Sequence, residues 1–407
     1  MKKILLFAPL ILPIPAIGGG AVETLITGLI NQNEIYHKAD FILISRYDSR
    51  INPDKYNYTK FYLFDEYSIH YDKDFYHNEY KKYCNRIKIK RRFLKNRISK
   101  QFYKKTVKLM SEFQFQIYLI AKHEKVDIVI NEGNWDSRTC LPFIKLIGKK
   151  NIYYHLHYAR DEIKEFRKEL PNSISISKYV SRKWAIDKNI KGNNLVLYNG
   201  IDLERFEKQI TQKEKQKLLD KLNLNENDFV VIFCGRIIPE KGIEQLLNAF
   251  ENITDPSIKL LLIGSVGFST NIQTDFSNRM INKANRMKNV LYLGYISNEV
   301  LHHFYQISHL QVIPSIWQEG AGLVCIEGMA SGLPLIVTKS GGMIEYVDEA
   351  CSIQIPINEN LSDNLTKEIV SLSKDTTRRE LMSNAGKERS KRFSIEKYYN
   401  DFIDLFN

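Results

Sequence analysis

The feature that most constrains this chain is a repeated alternation of two hydrophobic periods along its 407 residues. Short apolar runs rich in Val, Ile, Leu and Phe are bounded by turn residues, and stretches of helical period lie between them. Strands that alternate with helices in this way predict parallel sheets with helices on both faces. Because this length exceeds what one ordinary core accommodates, we expect the pattern to build two domains.

The predicted strands form two groups. In the first half they are residues 3–8, 41–44, 126–130, 152–156, 174–176 and 195–197. In the second half they are residues 229–234, 259–263, 290–293, 309–313 and 335–337. We therefore predict two Rossmann-like, doubly wound α/β domains facing a cleft, one over residues 1–199 and the other over 200–390. Residues 391–407 are predicted to form a helix that packs back on the first domain.

The N-terminus has some features of a signal peptide, since two lysines precede an apolar run to Ile17. Three prolines interrupt that run and no small-residue cleavage site follows, so we instead predict a strand, a loop at 18–20 and a helix at 21–30. No uninterrupted apolar run reaches about 18 residues, so no transmembrane helix is expected. The five cysteines are scattered, which is not typical of a disulfide framework and favours a cytoplasmic protein.

Positive charge is concentrated in one segment. Residues 81–108 contain thirteen Lys or Arg and no Asp or Glu, whereas the formal net charge of the whole chain is +12, so the remainder is nearly neutral. Aromatic residues are interleaved with these charges, and we predict that Lys81 to Lys108 docks on an anionic membrane surface. A solvated helix face is the alternative. No nucleic-acid-binding motif accompanies the charge, so no nucleic-acid partner is expected.

The first motif directly follows the predicted strand at 229–234. It consists of Gly235-Arg236 and Lys241-Gly242. In doubly wound domains ligands bind at the carboxyl ends of the strands, where a glycine lets a ligand approach the backbone closely. Two cations at this position would balance the charge of a diphosphate, particularly as it becomes a leaving group. A loop with two solvated cations is the alternative interpretation of this motif alone.

The second motif joins two carboxylates, Glu319 and Glu327, within the sequence EGAGLVCIE. It follows the strand at 309–313 and is predicted to begin a helix, whose N-terminus would expose amides near Gly320 and Gly322 to a phosphate. Counted as helical, the eight steps between the carboxylates span roughly 12 Å. That length suits a nucleotide diphosphate-sugar, so Glu319 is predicted to meet the transferred sugar and Glu327 the ribose hydroxyls.

Together these motifs resemble family 4 of the retaining glycosyltransferases, which have the GT-B fold. The resemblance also includes the glycine-rich N-terminal loop, the sequence YNGID at 198–202, and Ser340-Gly341-Gly342 followed by Glu345. It covers essentially the whole chain and is strongest from Asn199 to Glu345. Each motif is weak alone, whereas the ordered set is specific.

The resemblance implies a role for each motif residue. Arg236 and Lys241 would hold the donor diphosphate, while Glu319 would contact the donor sugar at the catalytic centre. The implied donor-binding residues are Gly19, Gly20, Arg236, Lys241, Gly320, Ala321, Gly322, Leu323 and Glu327. Many family members have Phe where this chain has Ala321, a departure that should alter local packing more than the amide contacts.

Family members also carry a histidine after an N-terminal strand, close to the reacting sugar carbon. In this chain the sequence YYHLH at 153–157 offers His155 and His157, and strand alternation would place both on one face. We favour His157 as the catalytic residue because it lies at the end of the predicted strand.

The implied reaction is transfer of a sugar, with retention at the anomeric carbon, from a nucleotide diphosphate-sugar to a glycan or lipid-linked glycan. UDP is the commonest nucleotide in the family. A composition rich in Lys, Asn and Ile indicates an AT-rich bacterial genome, and hence a surface-polysaccharide pathway. No metal-ligand cluster accompanies the phosphate motifs, so we predict a metal-independent enzyme with no cofactor besides its nucleotide-sugar co-substrate. Such an enzyme would be peripheral on the inner face of the cytoplasmic membrane.

Other functions remain open from the sequence. A sugar-nucleotide epimerase or hydrolase of the same fold would need further acid–base residues at the sugar. A noncatalytic membrane-surface scaffold would retain a sugar-nucleotide site without using it. A phosphorylase would need a Schiff-base lysine, for which we find no motif. A nicotinamide dehydrogenase is disfavoured because the first glycine-rich turn lacks the Gly-x-Gly-x-x-Gly spacing.

Overall fold

The computed structural model describes most of the chain as two compact units. The described residues are 1–17, 19–66, 68–93, 110–133, 141–159, 172–185, 192–266 and 274–407, with side chains excepted at 87–93 and 141–142. The first unit comprises Met1–Leu156, Asp161–Ile174 and Asp187–Leu195. The second comprises His157–Arg160, Ser175–Ile186 and Val196–Asn407.

An eight-stranded sheet, in the order β4-β3-β2-β1-β5-β6-β7-β8, organises the first unit. Its strands are β1 Lys2–Phe7, β2 Ala39–Arg46, β3 Thr59–Asp65, β4 Ser68–Ile69, β5 Ile128–Asn131, β6 Ile152–Leu156, β7 Ser173–Ser175 and β8 Asn194–Val196. β1 is central, since Leu5 lies between Ile42 and Val129 in parallel register. The short β4 pairs antiparallel with β3. The chain therefore winds outward from β1 in both directions, as expected for a doubly wound sheet.

Helices connect these strands. Those described from the N-terminus to β8 are α1 Ala21–Tyr36, α2 Lys73–Phe93, α3 Glu112–Glu124, α4 Leu141–Ile147 and α5 Lys178–Trp184. α1 buries Leu25, Ile26, Leu29 and Ile30, an i, i+1, i+4, i+5 stripe of the kind that packs a helix on a sheet. α3 begins with a reciprocal capping box between Ser111 and Gln114.

The second unit contains a six-stranded, all-parallel sheet in the order β11-β10-β9-β12-β13-β14. The strands are β9 Phe229–Cys234, β10 Ile258–Ile263, β11 Val290–Gly294, β12 Leu310–Ile313, β13 Leu335–Thr338 and β14 Ser352–Ile355. Counted from β9 this order is 3-2-1-4-5-6, the Rossmann order, whose direction reverses between β9 and β12. A ligand crevice is expected outside the carboxyl ends of those two strands.

Helices cover both faces of this sheet. They are α6 Glu204–Glu207, α7 Gln212–Lys221, α8 Ile243–Glu251, α9 Asp275–Arg286, α10 Asn298–Gln306, α11 Leu323–Ala330, α12 Leu361–Lys374, α13 Thr376–Ser390 and α14 Ile395–Asp404. Two hydrophobic clusters result, and β9 contributes to both: Val230 and Ile232 to one, Val231 and Phe233 to the other. This alternation explains why the strand reads as a continuous apolar run.

All eleven predicted strands are confirmed within a few residues. The strands that the pattern missed are β3, β4 and β14. β3 lies in a tyrosine-rich stretch without bounding glycines, and the other two have only two and four residues. The first helix extends to Tyr36, beyond the predicted end at residue 30.

The C-terminal segment is helical as expected, and the Ser394 hydroxyl caps α14 by accepting from the Lys397 N–H. This segment belongs to the second unit, which also includes residues 157–160 and 175–186. The packing of residues 391–407 on the first domain stays a prediction. Among the described helices, none is both long and apolar enough to cross a membrane.

Candidate functional site

Both predicted motifs lie at the crevice of the second unit. Gly235 and Arg236 directly follow β9, and the loop from Pro314 to Gly322 joins β12 to α11. Since β9 and β12 are neighbours at the point where the strand order reverses, their carboxyl ends bring the two motifs together.

An ion pair joins the two motifs. Lys241 Nζ lies 2.6 Å from Glu319 Oε1, and the two side chains are 24% and 18% exposed. The approach depends on Gly242, which has a φ of 68° and whose Cβ, if present, would lie 1.9 Å from the Pro314 carbonyl oxygen. Only glycine fits this contact between the β9 and β12 loops. The Ile316 N–H reinforces it by donating to the Glu240 carbonyl at 3.0 Å.

The two cations of the first motif are not equivalent. Lys241 is already paired with a carboxylate, whereas Arg236 is exposed and forms no ion pair with any residue that the structure describes. Sequence reasoning treated them as two similar countercharges. In the structure, Arg236 is available to an anion at once, while Lys241 must exchange one anionic partner for another.

The backbone around Glu319 is held by the loop after β13. The Glu319 N–H donates to Ser340 Oγ at 3.0 Å, and the Gly342 N–H donates to the Glu319 carbonyl at 2.7 Å. Ser340 Oγ in turn donates to the Trp317 carbonyl. A Cβ on Gly342 would lie 2.3 Å from the Gly320 carbonyl oxygen, so the two loops touch through their backbones. The serine and glycines that the resemblance singled out therefore position Glu319.

The helix of the second motif begins later than predicted. α11 starts at Leu323 with Gly322 as its N-cap, so Glu319 lies in the preceding loop. The estimate of eight helical steps between the two carboxylates is therefore wrong, because only the part from Leu323 to Glu327 is helical. Gly322 supplies no side-chain cap, which leaves the first amides of α11 open to an anion. Ala321 lies in the loop just before this N-terminus.

Glu327 is held by a buried hydroxyl. The Tyr305 hydroxyl, on the fully buried side chain of α10, donates to Glu327 Oε2 at 2.9 Å. Burial raises the pKa of Glu327, and the opposing influences are the Tyr305 hydrogen bond and the positive charge of Arg205. Glu327 is therefore not an ordinary solvated helix carboxylate. Sequence reasoning missed Tyr305, since one tyrosine in an amphipathic helix carries no distinguishing signal.

Glu345, in the segment after β13, is held by hydrogen bonds to protein groups. Its carboxylate accepts from the N–H groups of Lys178 and Tyr179 at 2.8 and 2.7 Å, and from the Tyr198 hydroxyl at 2.9 Å. It thus satisfies orphan donors at the N-terminus of α5. The YNGID sequence and the glycine segment, which are far apart in the chain, meet through the contact between Tyr198 and Glu345.

The predicted glycines of the first unit lie between β1 and α1. Gly19 and Gly20 have φ values of 81° and 99°, and Gly18 lies outside the described residues. A Cβ on Gly20 would lie 2.1 Å from Glu23 Oε2. Glu23 is buried in the first turn of α1, and burial raises its pKa. This acidic group beside the loop was not singled out from the sequence.

The two candidate histidines have different settings. His155 lies within β6, is completely buried, and places Nδ1 2.8 Å from Glu132 Oε2. His157 follows the end of β6 at Leu156 and is partly exposed. The choice of His157 as the residue that faces the sugar stays a prediction.

Comparison with known proteins agrees with this architecture. Residues 214–389 match the family described as "Glycosyl transferases group 1". The capsular polysaccharide biosynthesis glycosyltransferase CapM of Staphylococcus aureus is 28% identical over 274 residues, 65% of this chain and 68% of CapM. Several other curated relatives are matched over only about half of their length.

Two solved structures share the fold over nearly the whole chain. A glycosyltransferase from Rickettsia africae has a TM-score of 0.74 at 18% identity, covering 99% of this chain and 97% of its own. Anabaena HepE, crystallised with UDP, has a TM-score of 0.70 at 17% identity, covering 100% and 99%. The solved structures show that this protein has the GT-B fold, and residues 214–389 match the group 1 glycosyltransferase family.

Proposed function

We propose that this protein is a retaining glycosyltransferase that moves a hexosyl or N-acetylhexosaminyl group from a UDP-sugar to a glycan. The observation that carries the proposal is the Lys241–Glu319 pair at the crevice of the second unit, just before the uncapped N-terminus of α11. These groups lie together beyond the carboxyl ends of neighbouring strands. A cation and open amides can bind a diphosphate, and a carboxylate can accept hydrogen bonds from the attached sugar.

The residues divide the donor between them. Arg236, Lys241 and the amides of Ala321 to Leu323 bind the diphosphate and balance the charge that develops as it leaves. Glu319 accepts hydrogen bonds from sugar hydroxyls once Lys241 turns to the phosphates, and Glu327 accepts from the ribose. On this proposal His157 lies near the anomeric carbon, and Gly19 and Gly20 also bind the donor.

Known relatives support the pathway and the nucleotide. CapM is named for capsular polysaccharide biosynthesis, and a similar relative in Salmonella typhimurium is a lipopolysaccharide 1,2-N-acetylglucosaminetransferase. HepE has been crystallised with UDP-glucose as well as with UDP. We therefore propose a lipid-linked or surface-polysaccharide glycan as the acceptor.

A donor screen tests the core of the proposal. Thermal shift with UDP-, GDP- and ADP-sugars should show stabilisation by one UDP-sugar, and that donor should then yield a transferred sugar and free UDP with a glycan acceptor. Proton NMR of the product should show the anomeric configuration of the donor. Arg236→Ala should lower kcat/KM for the donor about tenfold or more, since charge-assisted contacts contribute about 1.5–3 kcal/mol. Binding without transfer to any acceptor would favour the scaffold alternative.

Metal independence is a separate part of the proposal. Its support is that Arg236 and a helix N-terminus supply positive potential where the diphosphate would lie, and that Lys241 adds to it once it leaves Glu319. Transfer should persist in excess EDTA. A loss of activity that Mg²⁺ or Mn²⁺ restores would show that a metal ligand was missed.

We further propose that the protein acts at an anionic membrane surface through Lys81 to Lys108. Only part of this segment is described: α2 runs to Phe93 and exposes Lys81, Lys82 and Arg86, while residues 94–109 lie outside the described residues. The thirteen Lys or Arg of residues 81–108, a range without Asp or Glu, support the proposal, since each Lys or Arg near such a surface contributes about 1 kcal/mol.

Liposome flotation tests the docking proposal. Wild type should bind anionic but not neutral vesicles, and binding should weaken as salt rises. Reversal of Arg91, Arg92, Lys95 and Arg97 to Glu should abolish it. A matched variant reverses the same number of charges at Lys208, Lys213, Lys217 and Lys221, which are exposed in the second unit, and should still bind. Equal binding by both variants would assign docking to another surface.

A further inference from the structure

The carboxylate of Glu327 is fixed by a neutral partner from another helix. Tyr305 lies on α10 and Glu327 on α11, and the hydroxyl reaches Oε2 at 2.9 Å. Tyr305 is completely buried, and its ring makes a T-shaped contact with Phe206 at 5.7 Å between centroids. The hydroxyl therefore sits on a ring that packing holds in place.

The direction of this hydrogen bond follows from the chemistry of the groups. A carboxylate only accepts hydrogen bonds, so the Tyr305 hydroxyl must donate its hydrogen to Glu327. The hydroxyl oxygen is then left as an acceptor, and Gln311 Nε2 on β12 donates to it at 3.3 Å. In this series of hydrogen bonds each group therefore donates in the same direction, from Gln311 to Tyr305 and from Tyr305 to Glu327.

The buried end of this chain is packed tightly. Gln311 is completely buried, and its Oε1 has no hydrogen-bond partner among the described residues. A Cβ on Gly328, the residue after Glu327, would lie 1.8 Å from that oxygen. The amide consequently lies directly against the backbone of α11 beside Glu327. Displacement of Gln311 would disturb both the hydroxyl and the helix that carries the carboxylate.

We propose that Tyr305 is a positioning residue for ribose recognition. By occupying one lone pair of Oε2, its hydroxyl sets the rotation of the Glu327 carboxylate, so that the remaining lone pairs face the two vicinal hydroxyls of a nucleotide ribose. Gln311 supports this role because it donates to the tyrosine hydroxyl oxygen, so that the hydroxyl hydrogen remains available to Glu327. The inference rests on the proposed binding of a nucleotide ribose by Glu327.

The charges and hydrogen bonds around Glu327 should also make the proposed role of Tyr305 visible in the pH dependence of nucleotide binding. The groups facing Glu327 are Tyr305 from α10, Arg205 from α6 and Cys234 at the end of β9, with Cys325 on its own helix. Burial raises the pKa of Glu327, whereas the Tyr305 hydrogen bond lowers it. Removing the hydroxyl should therefore move the protonation of Glu327 to higher pH, together with the acid limb of nucleotide binding.

The test compares UDP with 2′-deoxy-UDP by isothermal titration calorimetry. Wild type should prefer UDP, Glu327→Ala should lose that preference, and Tyr305→Phe should reduce it about three- to tenfold, as expected for one hydrogen bond. The pH at which UDP affinity declines should also rise in Tyr305→Phe. Tyr346→Phe is the matched control, since Tyr346 is equally buried but donates to the Ile176 carbonyl; it should keep the wild-type preference.

The outcomes separate the inference from the function on which it rests. If wild type shows no preference for UDP over 2′-deoxy-UDP, the assignment of Glu327 to the ribose is wrong. If Glu327→Ala loses the preference while Tyr305→Phe keeps both the preference and the wild-type pH limb, Tyr305 has only a packing role and the inference is overturned. An equal reduction in Tyr305→Phe and Tyr346→Phe would also overturn it, because loss of any buried hydroxyl would then suffice.

Discussion

Glu319 and Glu327 belong to one motif, but an ion pair holds the first and a hydrogen bond from a neutral group holds the second. Glu319 lies in a loop, partly exposed, and pairs with the charged Lys241. Glu327 lies on α11 and accepts from the neutral, buried hydroxyl of Tyr305. A partly exposed ion pair contributes little net stability, about 0–1 kcal/mol, so Lys241 can leave Glu319 for a diphosphate at small cost.

The other end of the motif has no such freedom. The Tyr305 hydroxyl is enclosed, and a buried hydroxyl that loses its partner costs about 1–3 kcal/mol. Glu327 should therefore keep its orientation with or without a ligand. The comparison indicates that Glu319 lies at an exchangeable end of the motif and Glu327 at a preset end. On the proposed function, the exchangeable end binds the diphosphate and sugar and the preset end binds the ribose, and the following experiments test that difference.

The largest effect is expected where the Lys241 loop touches the β12 loop. Gly242→Ala would combine a left-handed φ of 68° with a Cβ 1.9 Å from the Pro314 carbonyl oxygen. Gly294→Ala has nearly the same φ, 67°, but nothing within 4 Å of its Cβ, so it isolates the backbone strain. Both should lose about 1–2 kcal/mol of stability from strain, and Gly242→Ala about 1–3 kcal/mol more from overpacking. Equal urea midpoints would show that the loops do not depend on this contact.

Next in size is the loss of the exchangeable cation. On the proposed function, Lys241→Ala removes diphosphate countercharge and should lower kcat/KM for the donor about ten- to a hundredfold. Lys283→Ala is a matched control: Lys283 is 25% exposed and pairs with Glu251 at 2.8 Å, but on α9. Steady-state kinetics with the identified UDP-sugar should separate the two. Wild-type kcat/KM in Lys241→Ala would eliminate the donor-site assignment.

The smallest expected effect is a pH dependence at the preset end. Because burial raises the pKa of Glu327 above its ordinary value of 4.5, UDP affinity should fall as pH decreases through a window that begins above 4.5. Titrations between about pH 5 and pH 8 should show that Glu327→Gln lacks this limb, whereas wild type retains it. An identical limb in both proteins would assign the titration to another group.

The contribution of Glu327 to stability has the opposite sign. A carboxyl whose pKa is raised by folding stabilises the folded state below its unfolded pKa, and that contribution is lost as pH rises through the folded pKa. Glu327→Gln should therefore gain stability relative to wild type as pH increases toward neutrality. Unfolding midpoints measured across the same pH range would show whether this difference appears.

The sequence alone determined the class of fold and the order of its functional segments. A strand that is buried on both faces of a sheet must be apolar at nearly every position, as in Phe229–Cys234. Such a run can be recognised in the sequence without knowledge of its neighbours. The glycines and charges that follow those runs mark the strand ends, which is why Arg236, Lys241 and the two glutamates were found. The helical tail after Ser394 was also predicted, and the structure shows that its first residue boundary carries a local signal, a capping serine.

Only the tertiary structure decided which groups became partners. The Lys241–Glu319 pair joins residues 78 positions apart, and the Tyr305–Glu327 bond joins two different helices. Neither pairing has a local period or spacing, because the first arises where β9 and β12 become neighbours and the second where side chains of α10 and α11 meet. The start of α11 at Leu323 was likewise misjudged, since the bonds of Glu319 to Ser340 and Gly342 keep the preceding residues in a loop. The buried hydroxyl of Tyr305 then distinguished Glu327 from Glu319, although the two residues are chemically identical.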